Sequence, residues 1–153
     1  MSTMSAVDYF DGVRRAAVEV ERCQRLINEL RDGDIPRHSS DGPHGKGAYS
    51  DPTADTYAAM VSMMDGAIRR RDACQELIGE ALVIIDGLRR VYDRMAEVME
   101  LYYIDLKTWR EIAEDLHVAE STARHWRDQM VAWLDDHPRA YVMACRFIDV
   151  YNI

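Results

Sequence analysis

Basic and hydroxyl side chains are grouped on the polar face of one predicted helix, residues 120–134. A guanidinium group can donate paired hydrogen bonds to a guanine edge or bind a phosphate, and hydroxyls near a helix N-terminus can reach phosphates. The pattern therefore predicts recognition of nucleic acid through hydrogen bonds. The polar face consists of Ser121, Thr122, Arg124, His125, Arg127, Asp128 and Gln129.

Patterns typical of catalytic or metal sites do not occur in the sequence. The five histidines form no HExxH array, and Cys23, Cys74 and Cys145 are far apart without CxxC spacing. Acidic residues are plentiful, yet no pair flanks an apolar run that could form a pocket. We therefore expect a protein that is not an enzyme and uses no metal or cofactor.

Two short helices must position the polar face of residues 120–134. The spacing of apolar residues over 91–103 predicts a helix that precedes this pair, and residues 105–107 predict a polar turn. Thr108 followed by Glu111 is a capping box, the sequence signature of a helix start. Residues 117–119 then form a second turn, with Val118 in the core. Two helices joined by so short a turn indicate a helix-turn-helix, a fold that binds duplex DNA. The predicted buried positions are Trp109, Ile112, Ala113, Leu116, Ala123, Trp126 or Met130, and Leu134.

The part of the chain before residue 90 predicts two long helices. Apolar or small residues alternate at three and four positions from about residue 5 to residue 31, and again from about Asp55 onward, which is a heptad pattern. Arg71 is the one misfit in the second stripe, and Gly87 could mark a break. The segment 32–53, rich in glycine, proline and serine, predicts a flexible loop.

The predicted fold is all-α, with three segments. Residues 1–90 form a coiled-coil-like helical hairpin, 91–134 the helix-turn-helix domain, and 135–153 a C-terminal helix. The second long helix has more apolar width than one partner helix covers, which indicates a further surface to bury. A second copy of the chain is the economical candidate, and a dimer is favoured. The extra apolar residues are Val61, Ile68, Leu77, Leu82 and Ile84.

The charge balance limits how tightly such a protein can bind DNA. The net charge is −8, and residues 107–133 hold four basic and five acidic side chains. We expect modest affinity with a strong dependence on salt, since phosphate neutralisation drives binding. Arg89, Arg90 and Arg94 are candidates for additional phosphate contacts. No apolar run is long enough to span a bilayer and no signal peptide is recognisable, so we expect a cytoplasmic protein that contacts no membrane.

The stretch YYIDLKTWREIAEDLHVAESTARHWRDQMVAWL (residues 102–134) resembles region 4 of sigma-70-type factors. In that family a T/S-x-x-E-I-A helix is followed by an L-G-V-S-x-S-T-V turn and a basic helix. The whole layout also resembles small phage regulators of the ArpU and RinA type. The resemblance covers about 40 residues and implies control of phage or prophage genes at promoter DNA, with RNA polymerase as a second partner.

The resemblance also implies site residues. Lys107, Thr108, Trp109 and Arg110 begin the helix that leans on the phosphate backbone in this family. The face of the reading helix is occupied by Glu120, Ser121, Thr122, Arg124, His125 and Arg127. His117 stands where the family has glycine in a left-handed turn. Ala119 stands where the family has a capping serine, and the loss of that cap costs about 1 kcal/mol of helix stability.

Three other functions fit the pattern less well. A small terminase subunit also pairs a helix-turn-helix with coiled-coil oligomerisation, and a ring of many chains would favour that function. An adaptor that binds RNA polymerase or a sigma factor would use the same three helices without DNA. A trihelical unit used only for protein contacts is the simplest of these.

Overall fold

The computed structural model describes residues 4–33 and 52–137, and all regular structure in these residues is helical. The helices are α1 (Ala6–Arg31), α2 (Pro52–Arg89), α3 (Asp93–Met99), α4 (Trp109–Leu116) and α5 (Glu120–Asp136), with a π-helical turn at Glu100–Ile104 between α3 and α4. This confirms the all-α prediction for the described residues.

Two predicted segments fall largely outside the described residues. Of the loop predicted at 32–53, the structure describes only the turn that ends α1 and the start of α2. Of the C-terminal helix predicted at 135–153, it describes residues 135–137. Asp135 and Asp136 continue α5, so the boundary predicted at residue 134 lies inside a helix.

Helix α1 begins and ends with local signals in its sequence. The Ser5 hydroxyl accepts a hydrogen bond from the Asp8 amide at 3.2 Å, which caps the N-terminus. Gly33, with φ of 76°, follows the last turn in the left-handed conformation that glycine adopts without strain. Between these ends the helix buries one stripe: Ala6, Phe10, Val13, Ala16, Ala17, Cys23, Ile27 and Leu30.

Helix α2 is a single element of 38 residues, which corresponds to about 57 Å at 1.5 Å per residue. It continues through Gly87, so the break considered there was wrong. Glycine costs about 1 kcal/mol relative to alanine inside a helix. The buried Ile84, Ile85 and Leu88, which surround Gly87 in sequence, hold this part of α2 in the core and offset that cost.

Helices α1 and α2 pack against each other in opposite directions. The start of α1, with Phe10 and Val13, shares a core cluster with the end of α2, whereas Cys23 and Ile27 contact Ala67 earlier in α2. Polar contacts join the same two helices. The Arg71 guanidinium donates to the Gln24 side-chain oxygen at 3.1 Å, which explains how an arginine is accommodated in the apolar stripe of α2.

The first turns of α2 extend beyond the end of α1. Since Ile27 contacts Ala67, α1 ends opposite about residue 63, leaving roughly eleven residues of α2 beyond it. Every residue from 54 to 59 is exposed. We call Tyr57, Val61 and Met63 the distal tip; their side chains are 69%, 43% and 49% exposed.

The remaining helices pack on the opposite end of the α1–α2 pair. One core cluster contains residues of α1, α2, α3, the π turn and α5, including Phe10, Ile85, Met99, Tyr103 and Leu134. Of the extra apolar residues predicted on α2, Ile84 is buried in this cluster and Leu77 packs against it. The segments predicted at 1–90 and 91–134 therefore share a core across residue 90.

A smaller cluster holds α4 against α5. It consists of Val98, Leu101, Ile112 and Ala123, with Trp109, Leu116, Val118 and Trp126 packed around it. Trp126 is only partly buried, whereas Met130 is 2% exposed and belongs to the larger cluster. Within the described ranges, no helix is both long enough and apolar enough to cross a membrane.

Candidate nucleic-acid interface

Helix α4 begins at the capping box that the sequence predicts. The Glu111 amide donates to the Thr108 hydroxyl at 3.3 Å, and the Glu111 carboxylate accepts from the Thr108 amide at 2.8 Å. The hydrogen bond from that amide, with a further one from the Thr108 hydroxyl, lowers the pKa of Glu111. The capping box thereby fixes the residue at which α4 begins.

The turn between α4 and α5 contains His117 in the left-handed conformation, with φ of 55° and ψ of 46°. A left-handed backbone at this residue, where sigma-70-type sequences have glycine, is what the resemblance predicts, and the structure confirms it. The Val118 amide donates to the Ala113 carbonyl at 3.1 Å, closing the turn in the Schellman pattern. Arg94 of α3 donates to the Leu116 carbonyl, which satisfies one of the last acceptors of α4.

Helix α5 begins after Ala119, which offers no side-chain cap, as the sequence predicts. The amides of Glu120 and Ser121 donate to no protein acceptor in the described part of the chain. Ala123, Met130 and Leu134 are fully or nearly fully buried on the inner side of α5. The helix is therefore held along one side, while its first turn retains unpaired donors.

An exposed stripe runs along the outer side of α5 at a spacing of three and four residues. Of the residues predicted on this face, Glu120, Ser121, Arg124 and His125 are exposed, and Thr122 is half-buried. Arg124 lies 4.0 Å from the Glu120 carboxylate, with both side chains about half exposed. The exposed residues of this side are called the reading stripe: Ser121, Arg124, His125, Asp128 and Gln129.

Arg127 does not point outward, although its position in the sequence predicts that it lies on the polar face. Its side chain is only 26% exposed and donates to the Asp128 carboxylate at 2.8 Å. Its guanidinium carbon lies 5.3 Å from the Tyr102 ring centre and 5.0 Å from that of Trp109. Tyr103 is buried below, where desolvation raises its pKa to about 12. Arg127 is thus a packing residue at the edge of the reading stripe.

The four residues at the start of α4 differ in their surroundings. Lys107 forms an ion pair with Asp115, and Arg110, at 82% exposed, pairs with Glu114 at 3.2 Å. Trp109 stacks on Tyr102, with ring centres 4.4 Å apart and planes 17° apart. Both basic side chains are accessible to phosphates, but each has a competing carboxylate.

Two of the three arginines expected to add phosphate contacts are held by contacts within the protein. Arg89 pairs with Asp86, Glu97 and Glu100, and so joins α2 to α3 and the π turn. Arg94 contacts the Leu116 carbonyl and lies 5.5 Å from the ring centre of Trp126. Arg90 is exposed at the end of α2.

Two residues next to this surface carried no functional signal in the sequence. Arg14 of α1 donates to the Tyr102 carbonyl, and its guanidinium carbon lies 4.1 Å from the Tyr102 ring centre. Arg14 is separated from Tyr102 by 88 positions, so no local pattern could indicate the contact. In the sequence, Tyr102 is only one of the apolar positions of a predicted helix.

Comparison with known protein families, with curated proteins and with solved structures finds no match to this chain. In the described residues no group of three or more histidine, cysteine, aspartate or glutamate side chains is arranged to hold a metal ion.

Proposed function

We propose that this protein is a sequence-specific DNA-binding regulator of transcription of the phage or prophage type, with a helix-turn-helix similar to sigma-70 region 4. In this proposal α5 enters the major groove of promoter DNA and α4 leans on the phosphate backbone. The observation that carries it is the reading stripe, which lies on a helix held against α4 by a three-residue turn, residues 117–119.

The dimensions of α5 support this role. An α-helix with its side chains is about 10–12 Å across, and the major groove of B-DNA is about 12 Å wide. Ser121, Arg124 and His125 lie in the N-terminal half of α5, the half that contacts base edges in helix-turn-helix proteins. The unpaired amides of Glu120 and Ser121 favour a phosphate at the helix start.

The charges of the reading stripe favour selective but moderate binding. Arg124 is its one arginine, and it is balanced by Asp128 on the same stripe. The affinity that such a DNA-binding protein has comes from phosphate contacts around this face, whereas its specificity depends on hydrogen bonds from the stripe to base edges. We infer that tight binding needs two copies of the chain acting on two half-sites.

We propose that the second copy binds at the distal tip of the hairpin. The tip exposes Tyr57 and Val61 beyond the end of α1 and Met63 opposite its last turns, and the turns of α2 before residue 63 have no partner helix among the described residues. A short stretch of isolated helix is marginal in water, and a second α2 would supply the missing partner. A two-fold dimer would place two α5 helices for two half-sites.

Arg124→Ala tests the proposed function. The preferred sequence is first obtained by selection from random duplex DNA with the purified protein. Loss of a bidentate contact to guanine costs about 1–3 kcal/mol, so the Kd for the selected duplex should rise roughly 5- to 150-fold. Fluorescence anisotropy measures the change, and the preference at one base pair should relax.

Arg69→Ala is the matched control, because Arg69 is an exposed arginine on the middle of α2, away from α5. It should leave the Kd unchanged. Failure of the wild-type protein to select or retain any duplex would exclude the proposal. Binding to RNA polymerase without DNA would support the adaptor function instead. Assembly into a ring of many chains would favour DNA packaging.

A further inference from the structure

Four side chains from four different elements form a continuous stack beside the reading stripe. Tyr102 of the π turn and Trp109 of α4 stack with ring centres 4.4 Å apart. Arg14 of α1 lies over Tyr102 at 4.1 Å, and Arg124 of α5 lies over Trp109 at 5.6 Å. We call these four residues the cation–aromatic stack. It connects the first helix of the hairpin to the helix proposed to read DNA.

The arginines around the two rings differ in whether an acid neutralises them. Arg124 lies near Glu120 and Arg127 donates to Asp128. Arg14 has no carboxylate within ion-pair distance anywhere in the described residues; Asp11, one turn earlier on α1, forms no such pair with it. Its one side-chain hydrogen bond goes to a neutral acceptor, the Tyr102 carbonyl. Within the described part of the chain, no acidic side chain therefore offsets the charge of Arg14 beside the π turn.

A guanidinium that stacks on an aromatic ring keeps its N–H edge available for hydrogen bonds. Arg14 is half-buried, and the ring of Tyr102 and the carbonyl hydrogen bond hold it in one position. Holding a long side chain in place before binding reduces the entropy lost when it contacts a ligand. Arg14 lies on Tyr102, whose ring stacks on Trp109, the first residue of α4, where the phosphate backbone would pass in the proposed complex.

We propose that Arg14 binds a DNA phosphate, so that the first helix of the hairpin is part of the DNA interface. This inference rests on the proposed function. It adds a contact from residues outside the helix-turn-helix and explains how an acidic chain supplies positive charge at this surface. Because a phosphate carries no base identity, Arg14 contributes affinity equally for all sequences.

The salt dependence of DNA binding tests the role of Arg14. Each phosphate neutralised changes the slope of log Kobs against log salt concentration by about 0.9. Arg14→Gln removes the charge and keeps a polar side chain with an amide donor, although a shorter one. The slope should become shallower by about 0.9, with the same loss of affinity for the selected duplex and for a random-sequence duplex.

Arg15→Gln is the matched control, since Arg15 is an exposed arginine one position along α1 that points away from Tyr102. It should leave the slope unchanged. Arg14→Lys keeps the charge and should retain the wild-type slope, although the planar stacking is lost. If Arg14→Gln does not fold, Arg14→Met keeps an unbranched side chain over the ring and should give the same shallower slope.

A purely structural role predicts a different result. If Arg14 only held α1 against the π turn, its neutral variants would lower the melting temperature while the salt slope stayed that of the wild type, and the inference would be wrong. This outcome is distinct from failure of the proposed function, in which the wild-type protein itself would retain no duplex.

Discussion

Two arginines of α5, three positions apart, occupy very different environments. Arg124 is about half exposed at the outer side of the helix, whereas Arg127 is 26% exposed and packed beside Tyr102 and Trp109. A helical pattern assigns both to the polar face. What separates them is the position of the aromatic rings, which come from the π turn and from α4. Replacing Arg127 would therefore disturb packing as well as charge.

His117 offers a test of strain at a single residue. The left-handed conformation costs a residue with a β-carbon roughly 1–2 kcal/mol, while glycine adopts it freely but loses more entropy on folding. We expect His117→Gly to stabilise the protein by a net of about 0.5–1 kcal/mol, or a few degrees in melting temperature. Thermal unfolding followed by circular dichroism measures it.

The control for that substitution is His125→Gly, because His125 is exposed on a right-handed helical turn of α5. Glycine there should destabilise the protein by about 0.3–0.5 kcal/mol, the difference between the helix propensities of histidine and glycine. A lower melting temperature for His117→Gly as well would show that the imidazole of His117 makes a stabilising contact that outweighs the backbone strain.

At the scale of elements, local signals account for where helices begin. Ser5 before α1 and Thr108 before α4 both cap through their hydroxyls, and the sequence predicts the cap at Thr108. The π turn at Glu100–Ile104 and the left-handed Leu106, with φ of 58°, have no such signal. They arise because the buried Leu101 and Tyr103 must reach two different core clusters.

The capping box makes the stability of α4 dependent on pH. The pKa of Glu111 is lower in the folded protein than its ordinary value of 4.5, because the Thr108 amide and hydroxyl donate to its carboxylate. The resulting stability is present above pH 4.5 and is lost as the pH falls through the folded pKa. We expect wild type to exceed Glu111→Gln in unfolding free energy near neutral pH and to approach it below pH 4.5.

Denaturant unfolding at a series of pH values measures this difference. Glutamine at the same position can still accept from the Thr108 amide but does not titrate, which isolates the carboxylate. Glu114→Gln serves as the control, since Glu114 is on the exposed side of α4 and pairs only with Arg110. A constant difference between wild type and Glu111→Gln across this pH range would contradict the assignment.

At the scale of the whole molecule, one core joins the hairpin to the helices proposed to bind DNA. Val131 and Leu134 of α5 belong to the same cluster as Phe10 of α1 and Ile85 of α2. The orientation of α5 relative to the distal tip is therefore set by packing. In a dimer formed at the tip, this shared core would fix the spacing between the two reading helices.

Val61→Glu tests the proposed dimer. A charge placed in an apolar contact that a two-fold axis repeats should raise the dimer Kd at least about tenfold. Sedimentation velocity measures the shift from dimer to monomer, and affinity for the selected duplex should fall with it. A wild-type protein that is monomeric at all concentrations would refute the proposal.

Val91→Glu is the matched control for the dimer. Val91 is 73% exposed in the turn after α2, at the other end of the hairpin from the distal tip. The same change of an exposed valine to glutamate there should leave the dimer intact. Equal dissociation by both variants would point to an effect of net charge and not to an interface at the tip.

The sequence by itself determined the helices, the cap of α4, the left-handed turn at His117 and the inner side of α5. These depend on residues within a few positions of one another, whose spacing and backbone preferences act locally. Only the tertiary structure decided that Arg127 is packed, that Arg89 and Arg94 serve internal contacts, and that Arg14 meets Tyr102. Those outcomes depend on contacts between distant segments, and the free energy of such contacts comes from packing that no local pattern encodes.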